Sequence, residues 1–95
     1  MPAYIIAQIN VTDPQKYQEY IKLAGPANAK YGGRFLVRGG ATTALEGKNR
    51  YQRIVVTEFK DVESAKRFYS SPEYQEARSK RLGAADFNMI VVEGA

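Results

Sequence analysis

The sequence predicts an α+β fold in which one four-stranded antiparallel sheet carries two helices on one face. Four short segments are rich in β-branched and aromatic residues, as strands are. Two longer segments begin with an aspartate cap and then repeat apolar residues at helical spacing. The segments follow the order strand, helix, strand, strand, helix, strand, and this order decides the arrangement.

The first strand is predicted over residues 3–11, where small or aliphatic residues occupy every second position. Asp13 followed by Pro14 is typical of a helix N-terminus, because the carboxylate caps the first turn and proline suits its first position. Apolar and aromatic residues then recur at steps of three and four. A helix is therefore expected over residues 14–23.

A break in this first helix is predicted at Gly25 and Pro26, because proline has no backbone N–H and clashes with the preceding turn. Helical turns can resume over residues 27–31. The second and third strands are predicted over residues 35–38 and 51–59, on either side of a glycine-rich turn.

The second helix is predicted to begin after Asp61, which caps its first turn. Ser71 and Pro72 repeat the pattern of cap and proline and are expected to restart the helix, which ends at Gly83. A last strand over residues 87–92 completes a ferredoxin-like βαββαβ sandwich with two interrupted helices on one face of the sheet.

The composition excludes several kinds of site. The chain has 95 residues, which predicts a single domain over residues 1–95. No apolar run approaches the ~20 residues of a membrane-spanning helix, so no membrane partner is expected. Cysteine and histidine are both absent, which removes thiol nucleophiles and the commonest metal ligands. We therefore expect neither metal nor cofactor and, without a secretory leader, a cytoplasmic location.

The basic surplus lies in one region of the chain. The net charge is +4, and residues 34–53 hold five basic residues against one acidic residue, Glu46. Arg38 and Arg53 fall inside strand patterns, where a buried charge needs a partner or a ligand. The distribution indicates a local preference for anions and not the basic stripe of a nucleic-acid-binding protein.

Both faces of the predicted sheet are apolar. Val55 and Phe59 lie on one face of the third strand, and Ile54 and Val56 lie on the other. The helices cover only one of these faces, so the second face needs another cover. A second copy of the chain, packed sheet against sheet, is the economical partner because large exposed apolar patches invite aggregation. We expect a homodimer through the sheet face.

Several short motifs occur together in this chain: Tyr17-x-x-Tyr20, Arg38-Gly39-Gly40, Leu45-Glu46-Gly47, Ser71-Pro72-Glu73-Tyr74-Gln75 and Val92-Glu93-Gly94. With this combination the chain resembles the bacterial domain-of-unknown-function family thirteen-thirty over nearly its whole length. The resemblance implies a dimeric α+β barrel. That superfamily includes cofactor-free monooxygenases, haem-degrading enzymes and muconolactone isomerases with clefts between sheet and helices. A shared fold does not imply a shared activity.

Arginines and tyrosines are the candidate ligand-binding residues. Arg38 and Arg53 could hold a carboxylate or an enolate, because the guanidinium group matches such anions in charge and shape. Tyr20 and Tyr74 are expected on the helix faces above the sheet, where a buried hydroxyl must find a partner. The two tyrosines are candidates to line a cleft beside an arginine, whereas Arg53 could instead form an ion pair at the dimer interface.

Two carboxylates, Glu58 and Glu46, are candidate proton acceptors, provided that burial raises the pKa of the carboxyl group. A structural interpretation competes with this role, because Arg38 and Glu58 could pair across adjacent strands without any ligand. Arg53 and Glu58 have opposite parity in their strand, so they should point to different faces of the sheet.

Three classes of function remain open. The first is binding or transformation of a small aromatic or anionic compound without metal or cofactor, as by a cofactor-independent monooxygenase or an isomerase. Haem degradation is disfavoured because no histidine is available to the iron. The second is a structural or regulatory homodimer. The third is RNA binding, but the third strand lacks the glycine and aromatic signature of RNA-recognition domains, so no nucleic-acid partner is expected.

Overall fold

A computed structural model describes residues 1–95. Its strands are β1 (Ala3–Val11), β2 (Arg34–Arg38), β3 (Arg53–Phe59) and β4 (Ala85–Glu93), and its helices are α1 (Pro14–Lys30), α2 (Val62–Ser70) and α3 (Pro72–Arg81). The four strands form one sheet in the order β2-β3-β1-β4, and all neighbouring pairs are antiparallel. This is the α+β, ferredoxin-like arrangement, so the predicted fold class is confirmed.

Helix α1 is continuous, so the predicted break at Gly25 and Pro26 is wrong. Pro26 removes one backbone donor from the helix. Ala24 and Ala27, on either side of it, are 7% and 2% exposed and belong to the same buried cluster as β1. Tertiary packing of this face therefore outweighs the local preference for a break. None of the three helices has the length and apolar character needed to cross a membrane.

The second helical segment is interrupted at Ser71, as predicted. The Ser71 hydroxyl donates to the Phe68 carbonyl oxygen at 2.7 Å and accepts from the Tyr74 N–H at 3.1 Å. One side chain thus closes α2 and caps α3. Asp61 caps α2 in the predicted way, because its carboxylate accepts from the Ser64 N–H at 2.7 Å.

The core lies between the helices and one face of the sheet. Alternate residues of the central strand β1 enter it, and Ile9 is 1% exposed. Phe59 at the end of β3 and Tyr74 of α3 are each 1% exposed, and they are the largest fully buried side chains beside Ile9. Burial of each such side chain contributes about 1.5–3 kcal/mol. This core fixes the positions of the helices above the sheet.

The helices leave the opposite face of the sheet uncovered, and part of this face is apolar, as predicted. Ile6 of β1 pairs with Val56 of β3 on one side and with Ile90 of β4 on the other, so the three form a row across this face. Ile90 and Val92 are 54% and 42% exposed. We call this surface the free face of the sheet.

Candidate functional site

A cleft lies between α1 and the helix-covered face of the sheet. Ile5, Ala7 and Ile9 of β1 line it, together with further apolar residues of the core. Its volume is about 50 Å³, which is room for about three to five ordered waters at roughly 10–15 Å³ each. Most of the lining is apolar, and the polar groups are arginines from β2 and β3, tyrosines from α1 and α3, an asparagine and a threonine.

Arg38 and Arg53 line this cleft from neighbouring strands. Arg38 is opposite Val55 in the register, and Arg53 precedes Val55 by two residues, so both arginines belong to the same face. Diagonal neighbours of this kind are about 7–8 Å apart. All four ion pairs of the structure involve other cations, and no acidic residue lines the cleft. The cleft therefore carries two uncompensated positive charges.

Protein contacts hold both guanidinium groups in place. The Arg38 Cζ atom lies 4.2 Å from the ring centroid of Phe35. Arg53 packs on Gly39, where an added Cβ would lie 2.5 Å from the Arg53 Cζ. The Nε of Arg53 is buried and has no hydrogen-bond partner. An unpaired buried donor is costly, and an oxygen of a ligand would satisfy it.

A bulge in β2 turns Arg38 toward the cleft. Arg34 is opposite Glu58, but the register shifts between Phe35 and Val37, so that Arg38 is opposite Val55. Without the shift Arg38 would share a face with Arg34, because side chains alternate along a strand. The extra residue moves Arg38 onto the face of Phe35, on which it stacks.

The predicted pairing of Arg38 with Glu58 is wrong. Glu58 lies on the free face of the sheet, and its Oε1 is 2.9 Å from Nη2 of Arg34. The parity prediction is confirmed, because Arg53 lies on the helix-covered face. Glu46 is exposed in the connection between β2 and β3. Both candidate proton acceptors are therefore outside the residues that line the cleft.

Tyr20 and Tyr74 bring two hydroxyl groups together in the cleft. Their Oη atoms are 3.0 Å apart, and the residues are 8% and 1% exposed. Burial, reinforced by the Tyr74 hydroxyl, raises the pKa of Tyr20 well above its ordinary value. Burial also raises the pKa of Tyr17, although the Arg53 guanidinium opposes this shift. The Tyr17 and Tyr20 hydroxyls therefore stay protonated at neutral pH and can donate hydrogen bonds.

Two polar residues were not predicted from the sequence. Arg81 is 6% exposed, and its Cζ stacks 3.7 Å from the Phe87 ring centroid. The sequence offers one signal for a role of Arg81. It follows Tyr74 by seven residues, and this spacing places both residues on one helix face. Asn28 lines the cleft, and its buried Oδ1 has no donor. Nothing in the local sequence distinguishes this asparagine from a solvated one.

Proteins of known structure share the fold. A protein of unknown function from Rhodopseudomonas palustris is 19% identical with a TM-score of 0.79, over 99% of this chain and 82% of that chain. SnoaB, a cofactor-independent oxygenase from Streptomyces nogalater, is 10% identical with a TM-score of 0.66, over 99% and 93%. A dimeric ferredoxin-like protein of unknown function from Jannaschia sp. CCS1 is 11% identical with a TM-score of 0.73, over 99% and 100%. At these identities the likeness shows the fold alone.

Sequence comparison identifies the family. No curated protein is similar enough in sequence to match. One family model matches residues 2–95, nearly the whole chain. The resemblance in the motifs is thereby confirmed, and the chain belongs to the family described as domain of unknown function DUF1330.

Proposed function

We propose that the cleft binds a small organic anion through Arg38 and Arg53. The observation that carries this proposal is the presence of two guanidinium groups in a largely apolar cleft that no carboxylate lines. Arg53 is half-buried and Arg38 is exposed to solvent, so an anion can reach both guanidinium groups and pair with them. The guanidinium fork suits a carboxylate, and the apolar lining suits an aliphatic or aromatic body.

The size of the cleft limits the ligand. Pockets for drug-sized molecules have about 300–1,000 Å³, whereas this cleft offers about 50 Å³. A short-chain acid fits such a volume, and a single ring fits if part of it stays at the open side. Large polycyclic compounds would require the helices to move away from the sheet.

The groups in the cleft favour binding over base catalysis. The cleft offers guanidinium groups and phenol hydroxyls, while the two predicted carboxylate bases lie elsewhere. A ligand that loses its own proton readily would be stabilised as an anion by the two arginines. Oxygenase or isomerase-type activity is therefore proposed only for such ligands. The common fold with the cofactor-independent oxygenase SnoaB supports an oxygen-consumption assay on any acid that binds.

Thermal shift with pentanoate and benzoate tests the proposal, with pentanamide and benzamide as neutral analogues. At ten times the Kd, a ligand specific for the folded state raises the melting temperature by about 6–11 °C. Arg38→Gln and Arg53→Gln should lose this shift. Arg34→Gln, on the same strand as Arg38 but on the free face, should keep it. A wild-type protein that responds to neither acid would refute the proposal.

We also propose a homodimer through the free face, which is the alternative function if no ligand binds. Exposed aliphatic residues support it, and so do similar structures described as dimeric ferredoxin-like proteins. Val92 on the free face is 42% exposed, and its neighbour Val91 on the other face is 38% exposed. In light scattering at micromolar concentration, Val92→Glu should be monomeric, whereas Val91→Glu should stay dimeric. A monomeric wild-type protein would refute the dimer.

A further inference from the structure

The polar groups of the cleft come from two sides of the sheet. Arg38 and Arg53 come from β2 and β3, whereas the Tyr74 hydroxyl lies 4.0 Å from the Met89 sulfur on β4. The strand order places β1 between β3 and β4. At about 4.8 Å per strand, β3 and β4 are roughly 10 Å apart. The cleft therefore has an arginine end and a tyrosine end.

The tyrosine end has one more proton than it has good acceptors. The two hydroxyls of Tyr20 and Tyr74 share a single hydrogen bond of 3.0 Å, so only one of their protons is used between them. If Tyr74 donates, the proton of Tyr20 has no protein acceptor. If Tyr20 donates, the proton of Tyr74 has only the Met89 thioether at 4.0 Å, which is a weak acceptor. In both arrangements one O–H group remains for a ligand.

Arg81 favours the first of these arrangements. Its Nη2 lies 3.5 Å from the Tyr74 oxygen and donates to it, because a guanidinium only donates. A hydroxyl that accepts from a cation is a stronger donor, which favours donation from Tyr74 to Tyr20 and leaves Tyr20 as the free donor. Arg81 is buried without an ion pair, so its charge strengthens each donor along this chain.

We infer that the Tyr20 and Tyr74 hydroxyls form a donor end that selects acids with a second oxygen acceptor. The preferred ligand class is then small keto or hydroxy acids, in which the carboxylate meets the arginines and the second oxygen meets Tyr20. This inference rests on the proposed function, because it names the ligand class of the same cleft.

Two matched acids test the inference by isothermal titration. Pentanoate and 4-oxopentanoate have the same charge and chain length and differ in one ketone oxygen. The wild-type protein should bind 4-oxopentanoate about threefold to tenfold more tightly, the usual effect of one neutral hydrogen bond. Tyr20→Phe should abolish this preference, so that the variant binds the two acids with equal affinity. Tyr74→Phe removes the hydroxyl that connects Arg81 to Tyr20, so it should reduce the preference for 4-oxopentanoate. This variant tests the inference if Tyr20→Phe does not fold.

The controls separate this inference from the proposed function. Tyr69→Phe removes a hydroxyl outside the cleft and should keep the full preference. Arg38→Gln should weaken binding of both acids by the same factor. Equal affinity for the two acids in the wild-type protein, or a preference that survives Tyr20→Phe, overturns the inference while the anion site stands. If neither acid binds the wild-type protein, the proposed function is refuted and the inference falls with it.

Discussion

Replacement of Gly39 by alanine tests how Arg53 is positioned in the cleft. Gly39 has a φ of +73°, in the left-handed region, and an added Cβ would overlap Nη1 of Arg53. Gly47 lies in the same connection between β2 and β3 and has a φ of +71°, but nothing lies within 4 Å of its added Cβ. Gly47→Ala is therefore a matched control for the cost of placing an alanine in the left-handed conformation.

The two variants should lose similar stability. The left-handed conformation costs an L-residue about 1–2 kcal/mol. For a chain of this size each kcal/mol lowers the melting temperature by about 4–8 °C, so both variants should melt roughly 4–16 °C lower than wild type. The additional overlap in Gly39→Ala involves the end of a flexible side chain, which can rotate away at small cost. That rotation removes the Arg53 guanidinium from its place in the cleft.

Only Gly39→Ala should lose affinity for an anion. A hydrogen bond to a charged group contributes about 1.5–3 kcal/mol, so displacement of Arg53 should weaken pentanoate binding by about ten- to hundredfold. Isothermal titration of the wild-type protein and both alanine variants measures this loss. Equal affinities in Gly39→Ala and Gly47→Ala would refute either the contact of Arg53 with the ligand or its positioning by Gly39.

Three further predictions concern stability. Phe59 is 1% exposed, so Phe59→Ala should lower the unfolding free energy in urea by about 3–5 kcal/mol, and a loss below about 1 kcal/mol would contradict its place in the core. Hydrogen bonds from Lys30, the last residue of α1, and from Tyr31 beside it lower the pKa of Glu73 from 4.5 to about 2. Because the folded pKa of Glu73 lies below the unfolded one, its stabilisation is full above pH 4.5 and is lost as pH falls toward 2. The melting temperature of Glu73→Gln should therefore depend less on pH in this window than that of the wild-type protein. Identical pH profiles for the two proteins would contradict this cause. The Arg34 side chain is 73% exposed, so loss of its ion pair with Glu58 in Arg34→Gln should change the unfolding free energy by less than about 1 kcal/mol. A larger loss would show that solvent does not screen the pair.

Local signals in the sequence predict most of the fold. Asp13, Asp61 and Ser71 cap the helices as their positions predict, because a cap depends on residues only three positions away. Alternation along β1 predicts its buried face for the same reason. The predicted break at Pro26 fails because its outcome depends on distant contacts. Burial of the flanking helix face against the sheet compensates for the single lost hydrogen bond.

Part of the candidate site also follows from the sequence. Arg38 and Arg53 were expected to need a partner, and Tyr20 and Tyr74 were expected above the sheet; the structure places all four along one cleft. The identity of their neighbours does not follow. Cross-strand pairs and side chains from different helices meet only when the whole core has formed. No local pattern in the sequence therefore predicts the contact between Arg81 and the Tyr74 hydroxyl.

Spacing within single segments specifies the order of the elements, the helix caps and the apolar alternation along each strand. The face that Arg38 joins depends instead on how β2 pairs with β3. A one-residue bulge in β2 shifts its pairing with β3 and turns Arg38 from the face of Glu58 into the cleft beside Arg53. Side chains alternate with a period of two, so one extra residue in β2 reverses the face of every residue after it. No local pattern in β2 shows which of its residues is left unpaired when it pairs with β3.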